Sequence, residues 1–186
     1  MEIKLNPIIE FGKMPIANAF CTPDQFASEF FYDLVLGFDP KTKAVGLVNK
    51  VPLKKMFHDH YAFYSSTSKG MKLHFAQTAR KLLPIAKKGL VVELGSNDGI
   101  MLEAWKHLGI PAIGVEPSKN VADVSISAGH NVISKFVSDE VVGEILSLGK
   151  VSLVYSANTF CQFANLYEYF GYVIKLIGRN GVFVFE

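Results

Sequence analysis

Cysteine is nearly absent from this sequence: Cys21 and Cys161 are the two in 186 residues. Two such distant thiols build no disulfide framework, and the chain reads as a protein of a reducing, cytoplasmic compartment. Arginine is equally scarce, with Arg80 and Arg179 alone, and Lys+Arg total 19 against 17 Asp+Glu. No basic stripe marks a nucleic-acid surface, so nucleic acid is not expected as a partner. No apolar run approaches the roughly 20 residues of a membrane-spanning helix. The opening MEIKLNP also lacks the apolar core of a signal peptide. A membrane is therefore not expected as a partner either. Internal repeats and low-complexity segments are missing too. Aromatic residues are plentiful instead. Fifteen Phe and seven Tyr leave three readings open: a large core, a stacking site for adenine, or an exposed interface.

The length suits one α/β domain with a small appendage. Residues 1–69 read as the appendage, irregular and β-rich. FGKMPIANAF (11–20) is expected to be a turn-forming loop through Pro15. FYDLVLGF (31–38) and KAVGLVNKV (43–51) read as a hairpin joined at DPKT. HDHYAFYSSTS (58–68) reads as a loop or helix cap. Residues 70–186 then alternate. Leu73, Ala76, Ala79 or Arg80, and Leu83 recur at helical spacing over 70–88. Strands are expected at 90–94, 111–117, 131–136, 151–158 and 182–185. Helices fall between them at 98–108, 118–129, 138–148 and about 165–177. Strands alternating with helices predict an α/β fold with a Rossmann-like, doubly wound parallel sheet.

The centre of that pattern is LVVELGSNDG, residues 90–99. A buried strand runs into a glycine turn that opens a helix, the usual crevice for a nucleotide-like ligand. A dinucleotide turn needs Gly-x-Gly-x-x-Gly so that a pyrophosphate meets bare N–H groups. Here Asn97 and Ile100 stand where its second and third glycines belong. Glu93 and Asp98 would also face the phosphates. At about 6 Å and an effective dielectric of about 20, each such contact costs roughly 3 kcal/mol. A cationic, phosphate-free adenosine suits these acids better, and S-adenosylmethionine (SAM) is such a ligand. The spacing Glu93-x-Gly95-x-x-x-Gly99 matches the first motif of Rossmann-like methyltransferases, and a purely structural turn is the alternative.

Glu116 ends the second strand, 17 positions after Gly99. An acid there can accept both ribose hydroxyls of the adenosine, or simply cap the next helix. Phe136 falls where the third strand would border the adenine; a core position is the equal alternative. Asn158 and Gln162 follow the fourth strand, where they can orient a carbonyl or enolate oxygen, although neither titrates near neutrality. Cys161 lacks a His partner in sequence and reads as a bystander. His58 and His60 have no third ligand at metal-binding spacing.

Taken together, FGKMPIANAF, YAFYSSTS with His74 after it, VVELGSNDGI, GVEPSKNVA, SANTFCQFANL and GVFVFE resemble the SAM-dependent nucleotide-sugar C-methyltransferases. These enzymes methylate a ring carbon beside a ketone in a deoxysugar. The resemblance implies a small-molecule substrate, a nucleotide sugar, with Tyr61 and Asn158 near it, Glu93, Gly95, Asn97 and Asp98 in contact with SAM, and Glu116 on its ribose. It also implies an N-terminal zinc domain with two Cys-x-x-Cys pairs. Thr42 and Val45 stand where the second pair belongs, and neither binds zinc. No metal is expected.

Two further departures concern the reaction. Gln162 stands where the family usually has His, and Phe63 where it has a second Tyr. The family's acid/base stretch, His-Glu-His, lies in a C-terminal half beyond Glu186. The sequence offers no convincing general base. The fifth strand, Val182, Phe183, Val184 and Phe185, is apolar on both faces. Its edge is expected to be covered, either by a C-terminal half or within a homo-oligomer.

Overall fold

Alternating apolar segments and glycine turns produce two compact units, Met1–Phe57 and His58–Glu186. The computed structural model describes residues 4–163 and 165–186. The first three residues of MEIKLNP, and Ala164 within SANTFCQFANL, lie outside the described residues.

The first unit is a three-stranded antiparallel sheet in the order β1-β2-β3, with β1 at Asn6–Pro15, β2 at Phe31–Phe38 and β3 at Val45–Leu47. The hairpin at DPKT forms as expected, closed by Asp39. Its carboxylate accepts the Lys41 N–H and the Thr42 hydroxyl, each at 2.9 Å. The second hairpin strand is shorter than the expected 43–51. The loop expected at 11–20 is corrected in its first half: residues 11–15 belong to β1. Pro7 and Pro15 obscure this strand in the sequence, yet an edge strand tolerates proline because one row of its N–H groups has no ladder partner. Register shifts interrupt the pairing at Pro7/Ile9 and Glu10/Lys13. Gly12, at φ +78°, lies within the second shift, where a residue with positive φ suits a bulge. Helix α1 (Leu53–Met56) closes the unit. Phe11, Phe20, Phe26 and Phe31 are exposed, so part of the aromatic excess lies on the surface.

The second unit begins its regular structure with α2 (Lys69–Ala86), whose first turn is capped by the Ser68 hydroxyl accepting the Met71 N–H at 3.2 Å. There follow β4 (Leu90–Leu94), α3 (Ile100–His107), β5 (Ala112–Val115), α4 (Lys119–Ser127), β6 (Val132–Ile133), α5 (Asp139–Leu148), β7 (Val151–Ser156), α6 (Leu166–Ile177) and β8 (Val182–Phe185). All pairings are parallel, in the order β6-β5-β4-β7-β8. This is the expected α/β, Rossmann-like doubly wound sheet.

Period-two alternation sends the two faces of each strand into different layers. Val92, Leu94, Val154 and Ile113 pack with Val141, Ile145, Tyr169 and Val173 of α5 and α6. Val91, Leu153 and Tyr155 pack with Phe75 and Ala79 of α2 and with Met101 and Trp105 of α3. Three strands are shorter than the sequence suggests, β5 keeping Ala112–Val115 of the expected 111–117. β6 keeps only Val132 and Ile133 of the expected 131–136, which leaves Phe136 in a loop. β7 stops at Ser156, and Asn158 turns away at φ +53°.

Candidate functional site

β4 lies between β5 and β7, so the order of strands reverses beside it and a crevice opens outside the carboxyl ends. Glu93 arrives there at the end of β4, in register with Tyr155 of β7. The chain then turns through residues 95–99. Gly95, Asn97 and Gly99 hold φ of +78°, +48° and +86°, a region that glycine enters freely and asparagine more readily than other side chains. Space matters as well. A Cβ on Gly95 would strike the Thr159 side chain, and one on Gly99 would strike the Ser125 hydroxyl and the His130 ring.

Three carboxylates converge at this turn, with Glu93, Asp98 and Glu116 only 4%, 6% and 5% exposed. Burying an ionised group is costly unless hydrogen bonds compensate it, and the three differ in that respect. Glu116 accepts the Ser118 N–H at 2.8 Å and the Asn97 N–H at 3.0 Å. Both oxygens of Asp98 accept the Ser66 N–H at 3.1 Å. Glu93 is the exception: its Oε2 is buried without a partner.

The protonation tendencies follow. Burial pushes the Glu93 carboxyl well above the usual carboxylate range, and the charges of Glu116 and Asp98 push the same way. Burial also raises Glu116, against the opposing pull of its hydrogen bonds from Ser118 and Asn97. The site is thus a cradle of buried acids.

Residues 61–66 strap the turn. The Asn97 side chain accepts the Ser65 N–H at 2.9 Å and donates to the Phe63 carbonyl at 3.1 Å. Asn120 accepts the Tyr61 N–H at 3.2 Å and donates to the Tyr61 carbonyl and the Tyr64 hydroxyl at 2.8 and 2.9 Å. Tyr61 is half-buried, and burial followed by the charge of Glu116 raises its phenol. Tyr61 therefore belongs to the same cluster as the acids.

On the other flank, Thr159 packs against Gly95, and the Gln162 amide donates to the Asn158 carbonyl at 2.8 Å. Asn158 and Gln162 are thus neighbours, both exposed. Phe136 is half-buried in the loop after β6. Sequence reasoning missed Ser65, Ser66 and Asn120 as partners of the turn. The serines looked like a helix cap, and Asn120 was hidden in a helix start.

His58 and His60 have ring centroids 6.4 Å apart. Among the described residues no group of three or more His, Cys, Asp or Glu is placed to hold a metal ion. No helix among them is long and apolar enough to cross a membrane. A cavity of about 720 Å³ lies between α2, α3 and α4, lined in part by Lys72, Arg80, Asp98, Glu103 and His107. It touches neither Glu93 nor Glu116. Chemistry rather than cavity size therefore marks the crevice at the strand ends.

The chain is 27% identical over 188 residues to C-methyltransferase NovU of Streptomyces niveus. That match takes in 96% of this chain and 44% of the relative, so the chain spans less than half the relative's length. The resemblance read from the motifs thus has a C-methyltransferase counterpart along nearly the whole chain. Among solved structures, the plantazolicin methyltransferase BpumL, crystallised with a pentazolic desmethylPZN analog and SAH, shares 17% identity at a TM-score of 0.47. The overlap covers 61% of this chain and 45% of that one. The CcbJ methyltransferase from Streptomyces caelestis shares 24% identity at a TM-score of 0.46, over 60% of this chain and 47% of its own. No protein-family model matches the chain.

Proposed function

We propose that the second unit binds SAM at the turn 95–99, and that the chain is the cofactor-binding part of a SAM-dependent C-methyltransferase. The observation that carries this reading is the unpartnered, buried Glu93 oxygen beside two more buried acids. A cationic ligand suits such a cradle. SAM brings an ammonium and a sulfonium without phosphate. Glu93, Gly95, Asn97, Asp98 and Gly99 would hold it, with Glu116 toward the ribose and Phe136 near the adenine. Bound there, SAM supplies an electrophilic methyl group.

The acceptor is proposed to be a nucleotide-linked keto-deoxysugar, methylated at a carbon beside the ketone. The name of the NovU relative and the ordered motifs support C-methylation. Tyr61, Asn158 and Gln162 are proposed to face the sugar, where amide groups can hydrogen-bond a carbonyl or enolate oxygen. The part read over 1–69 is assigned to the substrate, and 70–186 to the cofactor. Free Cys21 and Cys161 support a cytoplasmic location. The edge of β8, with Phe185 53% exposed, is proposed to pair with further chain or a second copy.

Isothermal titration with SAM, S-adenosylhomocysteine and NAD tests the first step. Binding of the first two, and not of NAD, is expected. Labelled SAM with 4-keto nucleotide sugars then reads methyl transfer. SAM binding without transfer would favour a non-catalytic SAM-binding or partner-binding remnant, and absence of SAM binding would overturn the reading.

A further inference from the structure

Between His58 and Ser68 the only helical or extended element is the 3-10 turn Ser65–Thr67. A segment with so little regular pairing of its own is ordered by whatever its peptide groups bond to. Here those partners are side chains at the starts of two helices.

Asn120, in the first turn of α4, holds the beginning of the strap. Its Oδ1 accepts the Tyr61 N–H at 3.2 Å, a donor shared with the His58 carbonyl at 3.2 Å. Its Nδ2 donates to the Tyr61 carbonyl at 2.8 Å and to the Tyr64 hydroxyl at 2.9 Å. Both N–H groups of the amide are therefore engaged, and one side chain fixes both polar groups of the Tyr61 main chain. Ser118, shortly before Asn120, donates its N–H to Glu116. The stretch that carries Glu116 into the crevice thus also sets Tyr61.

The far end of the strap is held from the turn at 95–99. Asn97 accepts the Ser65 N–H and donates to the Phe63 carbonyl, and Asp98 accepts the Ser66 N–H. A carboxylate has about four acceptor positions, so Asp98 can hold Ser66 and a ligand's donor together. The Asn97 main chain is itself bonded to Glu116. Turn, strap and Glu116 share their fastenings.

We infer that Asn120 is a positioning residue, and that cofactor filling the turn tightens the strap and fixes Tyr61 beside Glu116. This deepens the SAM reading of the same crevice and rests on it. A ligand that orders Asn97, Asp98 and Glu116 removes part of the entropic cost of ordering the segment they hold. The coupling is reciprocal, so a loosened strap lowers cofactor affinity by the factor through which cofactor tightens it. Tyr61, proposed to face the sugar, is set once the cofactor is in place.

Hydrogen exchange read by mass spectrometry, with and without S-adenosylhomocysteine, tests this on the 186-residue chain. In the wild type the ligand should slow exchange at 61–66 by about fivefold or more, the low end of typical coupling. With 3-fluorotyrosine incorporated, the Tyr61 fluorine resonance, assigned with Tyr61→Phe, should shift on the same addition. Asn120→Ala should remove both responses and weaken S-adenosylhomocysteine about fivefold, with exchange in β4 and β7 unchanged. Asn120→Asp keeps the acceptor for the Tyr61 N–H and should fall between. Tyr64→Phe spares both Tyr61 bonds and should respond as the wild type does. Where Asn120→Ala fails to fold, Asn120→Asp and the wild-type comparison decide. If Asn120→Ala exchanges faster at 61–66 but keeps the wild-type response to ligand, the role is structural only and the inference is overturned. It is overturned equally by a wild type that binds S-adenosylhomocysteine with no change at 61–66 or at Tyr61. Either result leaves the cofactor reading standing. A wild type that binds neither SAM nor its product overturns both.

Discussion

The Asn97 N–H donates to the Glu116 carboxylate at 3.0 Å, which ties the glycine turn after β4 to the end of β5. The other Glu116 oxygen accepts the Ser118 N–H at 2.8 Å. One carboxylate thereby joins two loops that are separate in sequence. Its geometry sets where the crevice opens.

Replacing Glu116 by alanine should loosen both loops. Hydrogen bonds to charged groups contribute about 1.5–3 kcal/mol each, and leaving a buried N–H unpaired costs about 1–3 kcal/mol. Glu116→Ala is expected to weaken SAM binding more than about tenfold and to lower Tm by several degrees. Glu116→Gln keeps one acceptor oxygen and should fall between. Calorimetry and thermal melts read both.

Glu93 sets a pH dependence whose sign is fixed by its raised pKa. An acid with a folded pKa above its unfolded value holds its proton more tightly when folded. Its stabilising contribution is complete below the ordinary value of 4.5 and is lost as pH rises through the folded value. The ligand-free chain should therefore lose stability as pH rises above that ordinary value. Glu93→Gln should flatten this decline and raise Tm at neutral pH, while weakening SAM binding. Cation binding favours ionised Glu93, so SAM should release protons. Calorimetry in two buffers of different ionisation enthalpy measures this, and proton uptake would contradict the assignment.

Gly95 is constrained twice, by φ +78° and by the Thr159 side chain against it. Left-handed backbone costs a residue with a Cβ roughly 1–2 kcal/mol, and overpacking adds about 1–3 kcal/mol. Gly95→Ala is expected to destabilise the chain by about 2–4 kcal/mol, read by urea denaturation. Gly143 lies in α5 with nothing within 4 Å of an added Cβ. Gly143→Ala should be neutral or slightly stabilising.

Asn97→Gly keeps the turn conformation and removes the two side-chain bonds to the strap at 61–66. Amide exchange at Ser65 should accelerate about tenfold or more, because a net hydrogen bond contributes about 1 kcal/mol and its geometry holds the segment. Exchange in β4 and β7 should not change. Mass-spectrometric hydrogen exchange separates the two regions.

Much of this molecule could be read before folding. The strands at 90–94 and 182–185 and the helices at 138–148 and about 165–177 all depend on neighbours within a few positions. Glu93, Asp98 and Glu116 were legible for the same reason, since each sits at an element end. β1 was not legible. Its prolines and Gly12 break the alternation that identifies a strand, and only pairing with β2 shows that the backbone is extended. The length of β6 was misjudged because Ser134 and Lys135 leave the sheet, which apolar Phe136 disguised.

Local periodicity and turn chemistry alone determined an α/β sheet with an acid-flanked glycine turn, because those signals are carried by residues close along the chain. Tertiary structure decided which distant groups meet: Ser66 with Asp98, 32 positions apart, Tyr155 with Glu186, 31 apart, and His74 with Glu186, 112 apart. Such contacts depend on strand order and on where α2 lies against the sheet. No local pattern encodes either, so the protonation of Glu93 and the setting of His74 emerge only in the folded chain.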